Sequence, residues 1–201
     1  MLIDDIWKLS YEEYVAILLQ KYGPATHDYF ENGKPAASRA ISEGLECHHI
    51  DEDKIPGLSS NLCDSPEYAP YQKADRLVYC NRIEHIILHE KIAIRRDMYP
   101  DYSIFNFNVG GVSLLVKRMN DAYISPPNNY DWNSRVAWRV RNKVNVYAEV
   151  VRRIAIEMYL KGYNDEEIEY LLFTGSDNTT YVDSLVDRIN NYQDPINIDI
   201  Y

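Results

Sequence analysis

Apolar positions recur at helical spacing over most of this chain, and two short runs break the rule by reading as strands. Ser10-Tyr11-Glu12-Glu13 has the form of a capping box. Val15, Leu18 and Leu19 carry that helix to Tyr22, where Gly23-Pro24 stops it. Residues 24–42 read as irregular and residues 45–50 as a short strand. Residues 51–74 hold three of the nine prolines and form a long loop. Leu77-Val78-Tyr79 is a second short strand. Ile83, Ile86, Ile87 and Ile94 mark a helix over 82–96, with Pro100 beyond it. The pattern assigns no element to residues 97–111, makes 112–123 helical, and breaks at Pro126-Pro127. Val136, Val140, Val144, Tyr147, Val151, Ile154 and Met158 then trace the longest helical pattern, over 133–161, which Gly162 closes. Asp165 to Phe173 is a further helix, and a last one covers about 179–191.

The predicted fold class is therefore α+β and mostly α-helical, with a strand–loop–strand–helix unit near residues 43–96 wrapped in helices. The break near 127–132 divides the chain into an N-terminal domain, 1–126, and a helical C-terminal domain, 127–201.

Composition narrows the class. Hydrophobic residues are 46% of the chain, enough for a packed interior, and no run approaches the ~18–20 apolar residues of a membrane span. Met1-Leu2-Ile3-Asp4-Asp5 places no basic region before an apolar run, so no signal peptide is expected. Cys47, Cys63 and Cys80 lack a C-x-x-C spacing and fit small buried hydrophobes in a reduced, cytoplasmic protein. The net charge of −10 argues against a protein that coats nucleic acid through its whole field, but leaves room for a local basic groove.

Four of the five histidines sit in two clusters, Glu46-Cys47-His48-His49-Ile50-Asp51 and Glu84-His85-Ile86-Ile87-Leu88-His89. His85 and His89 are four apart, so a helix puts both on one face, the geometry in which two imidazoles hold one metal ion. His48 and His49 on a strand point to opposite sides and are free to do different jobs. Glu46 shares the His48 side and can hold a ligand imidazole in one tautomer. Asp51, Glu52 and Asp53 read as a solvated acidic loop, and Glu84 and Glu90 as surface positions.

Within residues 45–89, about a quarter of the chain, the pattern at 45–50 and 77–89 resembles the HNH (ββα-metal) endonuclease family, including colicin-type and phage HNH nucleases. The resemblance implies His48, His85 and His89 as ligands of one divalent metal ion (Zn²⁺, Ni²⁺, Mn²⁺ or Mg²⁺) and His49 as general base. The family's Asn lies nine residues before the first helical His, where this chain has Arg76. The resemblance therefore gives Arg76 a phosphate contact at the catalytic site, or Asp75 the bracing of the base-bearing loop. Asn81 is expected to cap the helix instead. The implied function is a metal-dependent HNH endonuclease, a cytoplasmic hydrolase of phosphodiester bonds with DNA the expected substrate. The alternative, which Arg76 favours, is a catalytically idle HNH-like domain that binds nucleic acid or a protein partner.

Between Asn133 and Arg153 six basic residues face one acidic residue, Glu149. Arg135, Arg139, Arg141 and Lys143, with Arg39, are the candidate nucleic-acid-binding residues, weighed evenly against a solvated helix face; Lys54 is a further phosphate candidate. Trp138 is expected in the core rather than stacked on a base. Residues 152–190 have a helix-turn-helix-like rhythm, but Asp183 and Asp187 on the third helix favour a bundle for packing or dimerisation, which leaves a homodimer open.

Overall fold

Two short helices open the chain, α1 (Ile3–Lys8) and α2 (Tyr11–Tyr22), in a computed structural model that describes residues 3–31, 34–35, 39–60, 65–96, 111–124 and 132–173. The capping box forms as expected: Ser10 Oγ accepts the Glu13 N–H at 3.1 Å, and Glu13 Oε2 accepts the Ser10 N–H at 2.7 Å. Ser10→Ala is expected to cost about 1 kcal/mol. A shifted urea midpoint at unchanged m-value would show it, and an unmoved midpoint would refute it.

Residues read as irregular hold a two-residue antiparallel pair, β1 (Phe30–Glu31) with β2 (Lys34–Pro35), and one turn of helix, α3 (Ala40–Glu43). Then comes the unit that positions the site. β3 (Glu46–His49) pairs antiparallel with β4 (Leu77–Cys80), from Glu46 opposite Cys80 to His49 opposite Leu77, and α4 (Arg82–Arg96) follows directly. Asn81 caps α4, as the sequence suggests: its Oδ1 accepts the Glu84 N–H at 3.0 Å and Glu84 Oε2 accepts the Asn81 N–H at 2.7 Å. Successive side chains of β4 go to opposite faces: Val78 and Cys80 join the large core, while Leu77 and Tyr79 join a smaller cluster with Ala25 and Leu45. Because both faces are covered, every residue of β4 is buried.

Four more helices complete the described chain: α5 (Val112–Ile124), α6 (Trp132–Val140), α7 (Val144–Leu160) and α8 (Asp165–Leu172). The single long helix expected over 133–161 is two helices. At Val140 the backbone leaves helical geometry (φ −109°, ψ 2°) and Arg141–Lys143 form a 3₁₀ turn. The apolar spacing survives the break because Val136 and Val140 lie in one helix and Tyr147, Val151, Ile154 and Met158 in the next, all buried. The last carbonyls of α8 are met by side chains of α5: Ser113 Oγ donates to Leu171 O at 2.5 Å and Asn120 Nδ2 to Leu172 O at 2.9 Å.

The protein is thus mostly helical with a small antiparallel sheet, in the α+β class. The expected boundary falls largely on residues 125–131, outside the described residues. One hydrophobic cluster gathers Ile6, Leu18 and Ile86 together with Tyr147, Ile154 and Leu172 from beyond it. The expected helix at about 179–191, and with it the third helix of the helix-turn-helix-like rhythm, also lies outside the described residues. Among the described residues no helix is long and apolar enough to cross a membrane.

Candidate metal centre

The alternation of β3 decides where its four side chains go. Glu46 and His48 face α4, while His49 turns to the opposite side, as a two-residue period requires. On α4, His85 and His89 project one turn apart toward the same point. His85 Nε2 then lies 3.2 Å from His48 Nδ1 and 3.1 Å from His89 Nε2, and the three nitrogens form a group that could hold a metal ion. His48 is 1% exposed and His89 6% exposed, so bulk water does little to screen the arrangement.

Glu46 and Tyr11 brace two of the rings from behind. Glu46 Oε2 lies 3.1 Å from His85 Nδ1, the place expected for it, and is itself held by the buried Arg82, whose Nε donates at 2.8 Å. Burial alone would raise the Glu46 pKa, but its charge and hydrogen-bond interactions with His85 and then Arg82 bring it down to about 2. Tyr11 braces His48: its hydroxyl is 2.9 Å from His48 Nε2 and donates to Ile50 O at 3.0 Å. A hydroxyl committed to that carbonyl accepts from an Nε2–H, which leaves His48 Nδ1 with its lone pair facing the cluster. Glu46 as acceptor sets the same tautomer sense for His85, with Nδ1–H outward and Nε2 inward. Burial, and after it the neighbouring His89, His85 and His49, hold His48 well below the usual imidazole pKa, so it is neutral near pH 7.

Lone pairs that face one another across the 3.2 Å His48–His85 edge repel unless something positive lies between them. A shared proton or a cation relieves that repulsion. The separations also suit an ion: bonds of about 2.0–2.1 Å at tetrahedral angles place ligand nitrogens about 3.3–3.4 Å apart. The donor set therefore fits a divalent metal with a preference for imidazole nitrogen.

Gly111 packs against the third ring. Its φ is +79°, and a Cβ there would come within 2.9 Å of His89 Cε1 and Nδ1. Gly111→Ala is expected to displace the His89 ring and weaken metal binding about 10–100-fold. Titration of metal-stripped protein checks this, and unchanged affinity would show that the ring is not held there.

His49 occupies a separate enclosure. Its Nε2 is 2.8 Å from Gln72 Oε1, Gln72 Nε2 donates to Leu58 O at 3.2 Å, and the Tyr29 ring lies 4.3 Å away, centroid to centroid. Gln72 with its amide nitrogen so committed presents its oxygen, which fixes the proton on His49 Nε2 and leaves Nδ1 bare. That Nδ1 has no hydrogen-bond partner among the described residues. Burial lowers the His49 pKa to about 4, against a raising contribution from Gln72, so the ring is neutral. His49 is 0% exposed, more enclosed than its sequence position suggests.

Arg76 does not point a free guanidinium at the site. It grips Asp51 with two nitrogens, the Nε contact being 2.6 Å, and so braces the turn that follows His49. Asp75 is exposed, and it is Asp51 that takes the bracing partner. Lys54 also pairs with Asp51, at 3.1 Å. Glu84 and Glu90 are buried rather than on the surface: Glu84 pairs with Lys21 at 2.8 Å, and Glu90 is 1% exposed. Cys80 is buried, Cys47 is partly buried and both are free thiols; Cys63 lies outside the described residues.

Of the candidate nucleic-acid-binding residues, Arg39, Arg139 and Lys143 converge. With Lys21 they line a cleft of about 580 Å³ beside the start of α4. Arg39 is partly committed, to Glu43 at 2.6 Å and over the Tyr79 ring at 4.7 Å. Arg135 is exposed, and Arg141 stacks over Trp138 at 5.0 Å. Trp138 is 62% exposed, contrary to its expected place in the core, because it falls on the helix face opposite buried Val136 and Val140. Arg152 and Arg153 are taken up by Glu149.

No protein-family model, no curated protein and no solved structure matches the chain.

Proposed function

We propose that the protein is a metal-dependent endonuclease of the HNH type, hydrolysing phosphodiester bonds in nucleic acid, with DNA as the substrate. The observation that carries this reading is the convergence of three inward imidazole nitrogens between β3 and α4, with a separately held neutral histidine on the other side of the same strand. His48, His85 and His89 would hold one divalent ion, Zn²⁺, Ni²⁺, Mn²⁺ or Mg²⁺, which when bound supplies stabilisation of charge on phosphate and leaving-group oxygens.

The chain's own residues do the rest. His49 takes the proton of an attacking water at its bare Nδ1, and Gln72 keeps the other ring nitrogen protonated so that Nδ1 stays the acceptor. Arg76, through Asp51, holds the backbone that carries His49. Lys21, Arg39, Arg139 and Lys143 give the nearby cleft its positive lining, suited to a phosphate backbone despite the acidic chain as a whole. Trp138 and Arg141 present an exposed aromatic–guanidinium stack of the kind that receives an unpaired base.

The second reading, an idle HNH-like domain that binds nucleic acid or a protein, is favoured by one observation: His49 is wholly enclosed beneath Tyr29. Cleavage of supercoiled plasmid by metal-stripped protein, with Mg²⁺, Mn²⁺, Ni²⁺ and Zn²⁺ restored one at a time, separates the two. Metal-dependent nicking supports the nuclease. Plasmid binding without nicking by any of the four ions supports the idle domain.

A further inference from the structure

Glu52 stands in the turn after β3, in a stretch that reads from sequence as a solvated acidic loop. Its side chain is 12% exposed. The 3₁₀ turn Ile50–Asp53 carries it back over the histidines: Glu52 Oε2 lies 3.5 Å from His48 Nδ1 and 4.0 Å from His89 Nε2. Its other oxygen, Oε1, accepts the Gly57 N–H at 3.3 Å, which turns Oε2 inward.

Resting on the reading of the three histidines as a metal centre, we infer that Glu52 Oε2 is the fourth, anionic ligand of that centre. The distances are the reason. Around an ion with bonds of about 2.0–2.2 Å, tetrahedral ligand atoms sit about 3.3–3.6 Å from one another. The edges His85–His89, His48–His85 and His48–Glu52 measure 3.1, 3.2 and 3.5 Å, close to that range, and His89–Glu52 is longer at 4.0 Å, which sets Glu52 Oε2 beside the His48–His89 side of the three-histidine group.

The consequence is chemical selectivity. Three imidazoles alone favour Ni²⁺ and Zn²⁺, whereas an added carboxylate raises affinity for the oxygen-preferring Mn²⁺ and cancels one of the ion's two charges. Glu52→Gln keeps the acceptor for the Gly57 N–H and removes the charge. We expect it to lower Mn²⁺ affinity about 10–100-fold, and Ni²⁺ affinity by less, in competition titrations against a chromophoric chelator. Glu52→Asp, which keeps the charge but shortens the reach, should also bind Mn²⁺ more weakly than the parent. It serves as the second variant if Glu52→Gln does not fold, judged by melting of the metal-free proteins. Parental Mn²⁺ affinity in the folded variants overturns the assignment of Glu52 and leaves the histidine centre standing. A parental protein that binds neither Mn²⁺ nor Ni²⁺ overturns both.

Discussion

Replacing His85 by alanine is expected to abolish metal binding while leaving the protein folded. His85 Nε2 is the middle atom of the cluster, within 3.2 Å of both other nitrogens. Loss of a residue that merely orients a ligand costs about 10–100-fold in affinity, so loss of the central ligand should exceed about 100-fold. The fold should tolerate it: the ring is largely buried but sits at the edge of the core, and Glu46 keeps its 2.8 Å partner in Arg82. Removing an inward lone pair also relieves repulsion in the metal-free protein. Thermal melting checks this, because an ion that binds only the folded state raises the melting temperature. Added Ni²⁺ or Zn²⁺ should raise that of the parent and leave that of His85→Ala unmoved. Equal stabilisation of both proteins would place the ion elsewhere.

Replacing His49 by alanine is expected to separate chemistry from binding. The general base contributes about 10²–10⁴-fold to a rate, and plasmid nicking should fall by that much. Metal affinity should hold, because His49 projects from the face of β3 away from the other three rings and its polar partner is Gln72. The variant leaves the Gln72 oxygen without its 2.8 Å partner and opens space beneath Tyr29, so stability should drop as well. Rates are therefore compared below the variant's melting temperature. A His49→Ala protein that cuts at the parental rate would remove the proposed base.

The histidine centre was legible because its information is local. An i, i+4 pair on a strongly amphipathic helix and an adjacent pair on a strand each fix their own geometry, and the antiparallel pairing of β3 with β4 brings them together. The capping box at Ser10 and the cap at Asn81 were readable for the same reason in kind, since a cap and its partner lie three residues apart. Apart from Glu46, what supports the centre was not readable. Tyr11 is 37 residues from His48, Gln72 is 23 from His49, and Gly111 meets the His89 ring from beyond α4. None has a pattern of its own, because each acts only once the chain has folded round.

Other departures share a cause. Periodicity reports which side of a helix is apolar but not where its axis turns, so one pattern over 133–161 concealed a break at Arg141–Lys143. Charge in the sequence reads as exposure at Glu84 and Glu90, yet Glu84 is buried with Lys21 and Tyr22 as partners. The basic run of 135–153 looked like one surface. It divides into a cleft lined by Arg139 and Lys143 and a pair, Arg152 and Arg153, held by Glu149, with Asp4 also on Arg153. Arg76 at the family's Asn position was weighed as a phosphate contact or a sign of lost activity. Its grip on Asp51 braces the turn that follows His49.

The proposed nuclease activity depends on a metal ion among His48, His85 and His89. X-ray absorption at the metal edge, on protein reconstituted with Zn²⁺ or Ni²⁺, tests that most directly. The expected result is one ion per chain, with an inner shell of nitrogen and oxygen atoms at about 2.0–2.1 Å and the outer scattering of three imidazole rings. No bound ion, or a shell without imidazole scattering, would contradict it.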